Sequence, residues 1–158
     1  MNTFHETQRF NQWWMVLIAF GVTGLMCYAL IQQIVFNIPF GDHPASNTGL
    51  ILIAVFVFIL FGTLQFISLR TTIDETGIRI KFHPFWGKEF KWTDIETYEI
   101  LNYGFVGGWG IRPWTKYGTV YNVKGRIGIA IQLKDGKKYL IGTQKEDELK
   151  HFLTRISH

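Results

Sequence analysis

Groups able to do chemistry are present in this 158-residue sequence, but their spacing does not build a catalytic site. The five histidines, His5, His43, His83, His151 and His158, are scattered, with no HxxxH-type spacing. The single cysteine, Cys27, has no partner for a disulfide, a zinc site or a Cys/His pair, and its place in an apolar segment reads as packing. Asp94, Glu96 and Glu99 fall in a strand-like segment with outward polar residues, which argues against a carboxylate pair for general acid–base work. No GxSxG or Ser/His/Asp arrangement is visible. Gly104, Gly107, Gly108 and Gly110 cluster, yet no Gly-Lys-Ser/Thr follows to complete a phosphate loop. A bent or bulged strand entry is expected there, and Gly107, Gly108 and Gly110 are candidates for the close approach of lipid or another subunit. The chain therefore reads as non-enzymatic, with no catalytic residue, metal or cofactor.

Contact chemistry is better represented. The candidates are the cations Arg70, Lys81, Arg112 and Lys116 and the tryptophans Trp86, Trp109 and Trp114, which flank turns. Ordinary solvated faces account for most Lys and Arg, and Trp109 inside GGWGIR reads as structural. Whether the rest contact a membrane depends on the elements that hold them.

Two of those elements are apolar. Trp13 to Ile31 and Gly49 to Ile67 are each nineteen residues without a charge, close to the ~20 a helix needs to cross ~30 Å of hydrocarbon. The first is too long for a signal peptide, has Glu6 beside Arg9 in its flank, and lacks a small-x-small cleavage site after Ala29. Trp13 and Trp14 suit the headgroup level. The linker 37–48 has no Lys or Arg, whereas Arg9 precedes the first run and Arg70 follows the second. The positive-inside rule then predicts a transmembrane hairpin with both termini cytoplasmic. No Asp, Glu, Lys, Arg or His lies within either run, so nothing suggests a transport or proton pathway. Gly21, Gly24 and Gly62 are expected to pack within the hairpin, with oligomer contacts as the alternative.

Charge divides the chain at the same place. Residues 1–69 hold one basic residue against two acidic; residues 70–158 hold fifteen Lys/Arg against ten Asp/Glu. From Leu69 the period changes to two, with Ile78, Ile80 and Phe82 alternating with Arg79, Lys81 and His83. Asp74-Glu75-Thr76-Gly77 is a turn pairing 69–73 with the following strand. Further strands are predicted at 88–92, 95–101, 110–112 and 118–123. The Asp135-Gly136 turn marks a hairpin of 126–133 with 138–143. Residues 145–157 read as an amphipathic helix, with Leu149, Phe152, Leu153 and Ile156 on one face and a Thr143/Glu146 capping box. About seven short strands and one closing helix fit an α+β domain.

Phe105–Arg112 (FVGGWGIR), Tyr121–Gly125 (YNVKG) and Gly136–Thr143 (GKKYLIGT), followed by QKEDEL, resemble the bacterial pleckstrin-homology-like domains of small membrane proteins. The resemblance covers residues 70–158. It implies a seven-stranded, strongly bent sheet capped by a C-terminal helix, with no enzyme activity and no settled ligand.

The expected organisation is a cytoplasmic tail (1–12), a two-helix transmembrane hairpin (13–69) and a cytoplasmic, pleckstrin-homology-like antiparallel barrel or sandwich (70–158), in a bacterial cytoplasmic membrane. The leading functional expectation is a membrane-anchored binding or scaffold module contacting proteins or its own copies, as a homo-oligomer or part of a larger membrane complex. The alternative is a sensor of anionic lipid headgroups, since a near-surface Lys or Arg contributes about 1 kcal/mol beside an anionic leaflet. Nucleic acid is not an expected partner: the tether restricts encounter and no binding motif is present.

Overall fold

The computed structural model describes residues 3–10 and 12–156 and is α+β. The chain divides into two units: Phe10–Phe66 is one, and the stretch up to Arg9 joins Ile67 onward in the other.

The helical unit holds α1 (Trp13–Leu30), which continues through a π-helical turn at Ile31–Val35, and α2 (Asn47–Leu64). Both are apolar and long enough to cross a membrane, by length and composition. Ser46 starts α2 by accepting the Gly49 N–H on its hydroxyl at 3.2 Å. Gln33 is buried and ties the linker down, donating to the Ala45 carbonyl at 2.7 Å and to Asn47 Oδ1 at 2.9 Å. Ala29, Leu50 and Ala54 are the buried apolar side chains of this unit. The glycines do not take that role. A Cβ at Gly21, Gly24 or Gly62 would meet nothing within 4 Å, and Cys27 is exposed rather than packed.

The β unit begins before the helices. β1 (Phe4–Arg9) pairs antiparallel with β2 (Ser68–Ile73), followed by β3 (Gly77–His83) and β4 (Trp86–Lys91), giving a four-stranded sheet in the order β1-β2-β3-β4. A 3-10 turn at Trp92–Asp94, held by the Trp92 indole N–H on the Asp74 carbonyl at 2.8 Å, takes the chain out of this sheet. Then come β5 (Ile95–Asn102), β6 (Gly110–Thr115), β7 (Gly118–Asn122), β8 (Ile127–Leu133) and β9 (Lys138–Thr143), ordered β5-β8-β9-β7-β6. Last is α3 (Glu146–Ile156); Ser157 and His158 lie outside the described residues.

The strongly periodic segments form where the sequence predicts. Ile78, Ile80 and Phe82 are buried while Arg79 and Lys81 are exposed. The β8–β9 hairpin closes with Asp135 Oδ1 accepting the Lys137 N–H at 3.0 Å. Leu149, Phe152 and Leu153 are the buried face of α3, and Phe152 packs on Phe4 with ring centroids 6.3 Å apart.

Three further expectations are corrected. A single seven-stranded sheet or closed barrel does not form among the described residues; eight strands follow Phe66, and with β1 they divide between two sheets. The strands are not all antiparallel, because β7 runs parallel to β9 with Thr119, Val120 and Tyr121 opposite Tyr139, Leu140 and Ile141. Gly118 permits that approach: at φ 74, a Cβ there would collide with the Lys138 carbonyl. The capping box also does not close. Thr143 Oγ1 accepts the Lys145 N–H at 3.0 Å and donates to Glu6, while Glu146 accepts from Lys150.

The two sheets meet through aromatic rings. Trp86 of β4 stacks on Tyr121 of β7 at 5.4 Å, and Phe90 of β4 packs on Tyr139 of β9 at 4.8 Å. Lys88 lays its ammonium over the Tyr139 ring at 3.9 Å and donates to the hydroxyl at 2.6 Å.

Candidate functional site: a basic sheet face

In β1–β4 the side chains alternate, so one face carries the core and the other is open. The inward face holds Phe4, Leu69, Ile73, Ile78, Ile80 and Phe90, all buried. The register lines up the outward residues in rows. Arg9 stands opposite Ser68, which stands opposite His83. Thr7 faces Arg70, Arg70 faces Lys81, and Lys81 faces Gly87. His5 faces Thr72, Thr72 faces Arg79, and Arg79 faces Glu89. Lys91 follows, opposite Gly77. This face therefore exposes Arg9, Arg70, Arg79, Lys81 and Lys91 against a single acid, Glu89.

Compensation is uneven across these cations. Arg79 is ion-paired to Asp74 at the β2–β3 turn. Hydrogen bonds from the Thr76 hydroxyl and N–H, aided by the Arg79 charge, hold the Asp74 carboxyl below the usual carboxylate range. Arg70 and Lys81 have no such partner: among the described residues neither makes an ion pair or a side-chain hydrogen bond. Like charges directly opposite on neighbouring strands are destabilising. The pair borders an open depression of about 470 Å³ with Thr72, Gly87 and Glu89, and Gly87 leaves its place in the row without a side chain. An anion seated there would accept hydrogen bonds from both cations and relieve their repulsion.

The other predicted contact residues lie elsewhere. Trp86 is engaged between the sheets rather than free at a turn. Trp109, Arg112, Trp114 and Lys116 belong to β6 and its flanks, on the other sheet. Trp109 meets Phe105 edge to face at 6.3 Å. The Arg112 guanidinium packs against Gly108, where a Cβ would collide with it, and its Nε is buried without a hydrogen-bond partner. Gly108 leaves room for Arg112, while Gly107 and Gly110 adopt φ 80 and φ 107 with open space where a Cβ would stand. Lys116 sits 4.8 Å from the Tyr117 ring centroid. Trp114 projects furthest, 96% exposed at φ 58, in the irregular part of edge strand β6.

Sequence reasoning missed Arg9 and Arg79 as neighbours of Arg70 and Lys81, and Lys91 as a further cation of the same face. The alternation at 79 and 81 carried a signal for Arg79; Arg9 joins only through a pairing that spans the whole helical unit. Among the described residues no three His, Cys, Asp or Glu side chains gather to hold a metal ion. Comparison of the sequence with known protein families and with curated proteins finds no match.

Proposed function

We propose that this chain is a membrane-anchored, non-enzymatic binding module that holds anionic phospholipid headgroups on the outer face of β1–β4. In this reading α1 and α2 cross the cytoplasmic membrane and the β unit lies on the cytoplasmic side, where the positive-inside pattern puts it. The observation that carries the reading is the uncompensated pair Arg70 and Lys81, directly opposed on an exposed sheet face. The resemblance of residues 105–112, 121–125 and 136–143 to pleckstrin-homology-like domains supports a binding role over an enzymatic one.

The test uses the full chain in mild detergent. Native mass spectrometry with added phosphatidylglycerol should give more bound lipid than with phosphatidylcholine, and Arg70→Gln with Lys81→Gln should erase the excess. Rising salt should erase it too, since exposed charges are screened within ~8 Å at physiological ionic strength. Equal adducts for both lipids, or an excess untouched by the double substitution, would discard the headgroup reading.

A second reading has its own observation. Phe105, Ile111 and Trp114 are exposed along and beside the edge strand β6, at 74%, 47% and 96%. Exposed apolar side chains at a sheet edge favour contact with other proteins or with further copies of this chain. This is the scaffold reading, and self-association is its first test.

A further inference from the structure

We propose that Phe85, at the tip of the β3–β4 hairpin, is a membrane-interface anchor whose ring seats at the headgroup level of the bilayer that α1 and α2 cross. The inference rests on the membrane-anchored reading above and adds to it the part of the β unit that enters the lipid.

The two ends of the four-stranded sheet differ in chemistry. At one end the β2–β3 turn carries Asp74 and Glu75. At the other end the β3–β4 turn carries Pro84 and Phe85, with Phe85 73% exposed. Its neighbour Trp86 is 38% exposed and stacks on Tyr121, so Phe85 is the freer of the two rings at this tip. A six-residue strand spans about 20 Å, which separates the acidic tip from the aromatic one.

The register identifies the end of the sheet at which the chain leaves and re-enters it. Arg9, Ser68 and His83 form the last row before the Pro84–Phe85 turn. Arg9 is where β1 leaves toward α1, and Ser68 is where β2 arrives from α2. Both covalent links to the helical unit thus depart from the Phe85 end. Four residue steps separate Arg9 from Trp13 and Leu64 from Ser68, and a fully extended chain covers at most ~3.6 Å per step. Each link is therefore a leash of about 14 Å at most, shorter than the sheet itself.

Charge supports the same direction. The rows next to the aromatic tip carry Arg9, Arg70 and Lys81, and the two turn carboxylates stand at the far end. Arg79 and Lys91 offset the carboxylates of the far end, so an anionic leaflet attracts the aromatic end more strongly than the other. An exposed aromatic ring flanked by cations suits the boundary between headgroups and acyl chains, where the ring is apolar and its surroundings remain wet.

The test places an environment-sensitive bimane probe on single cysteines of the full chain, in a Cys27→Ser background, reconstituted in phosphatidylcholine–phosphatidylglycerol vesicles. The sites are Phe85→Cys, Glu75→Cys and Phe56→Cys, the last exposed on α2. Nitroxide lipids labelled near the headgroup should quench the probe at 85 and leave that at 75 bright, with blue-shifted emission at 85 alone of the two. Lipids labelled deep in the acyl chain should quench the probe at 56. Quenching at 56 with aqueous emission at 85, or equal quenching at 85 and 75, overturns the anchor while the membrane-crossing reading stands. A probe at 56 that no nitroxide lipid quenches overturns both.

Discussion

The Thr143 hydroxyl donates a 2.6 Å hydrogen bond to Glu6 Oε2, joining a residue that precedes the first apolar helix to one at the end of the last strand. The Gln144 N–H donates to the other oxygen of the same carboxylate at 2.8 Å. Gln8 adds a third bond, from its Nε2 to the Gly142 carbonyl at 2.7 Å. These contacts make β1 a structural part of the β unit, tying the first sheet to the end of the second and to the start of α3.

The first prediction follows directly. Glu6→Ala leaves a buried hydroxyl and a backbone N–H without acceptors, a loss of about 1–3 kcal/mol. Chemical denaturation of the full chain in detergent should register that loss, with Glu6→Gln milder because its amide oxygen still accepts one bond. A fragment beginning at Arg70 lacks β1, Ser68 and Leu69 and should not melt cooperatively. An unchanged midpoint for Glu6→Ala would mean that β1 is dispensable.

The same strand explains where sequence reading stops. β3, the β8–β9 hairpin and α3 are legible because their inward positions are apolar at a local period of two or 3.6. The inward positions of β1 are Phe4, Glu6 and Gln8, two of them polar, so alternation does not mark it. They are sensible only beside Gly142, Thr143 and Gln144, more than 130 positions away. The site divides in the same way. Arg70 and Lys81 are visible as charges, but their opposition depends on register. Trp86 looks like a turn residue until Tyr121 arrives from another sheet.

The second prediction concerns alkaline pH. Burial pushes the Tyr121 phenol up to about 12 from its ordinary value of 10.0, and the neighbouring Tyr139 adds to the shift. The unfolded chain therefore releases this proton first. The resulting stability is complete below about pH 10 and is lost as pH rises toward 12. Tyr121→Phe should flatten the fall in melting temperature across this window. Lysines titrate in the same range, so the difference between wild type and variant is the quantity to read. Parallel curves would show that Tyr121 titrates alike in both states.

The third prediction is topological. With Cys27 replaced by Ser, single cysteines at Ser46 and Lys137 should respond oppositely to an impermeant maleimide applied outside intact cells. Position 46 should label and position 137 should not, because the Lys/Arg excess lies beyond α2. Labelling at 137 would reverse the orientation and remove the cytoplasmic leaflet from the headgroup reading.

The last prediction separates self-association from folding, and Trp114 is the residue that can do so. Its φ of 58 is a conformation that costs a non-glycine residue roughly 1–2 kcal/mol. With the side chain 96% exposed, little packing within the chain offsets that cost. Pro113 before it has no N–H, and the register with β7 shifts between Arg112 and Thr115, so this edge is poorly suited to strand addition. A contact here would be made by the indole, which buries a large area at low entropic cost and is typical of interface anchors. Gly108 is the wrong place for the test, since any side chain there displaces Arg112. Trp114→Asn is better, because Asn tolerates the left-handed region. Melting of the variant should be equal to or above that of wild type, while its mass by photometry or native mass spectrometry in detergent should fall to one 18.4 kDa chain. Restoring an aromatic ring with Trp114→Tyr should restore the larger species. A wild-type protein that runs as a single chain across several detergents, or an assembly indifferent to Trp114→Asn, would end the case for this edge as a self-association surface.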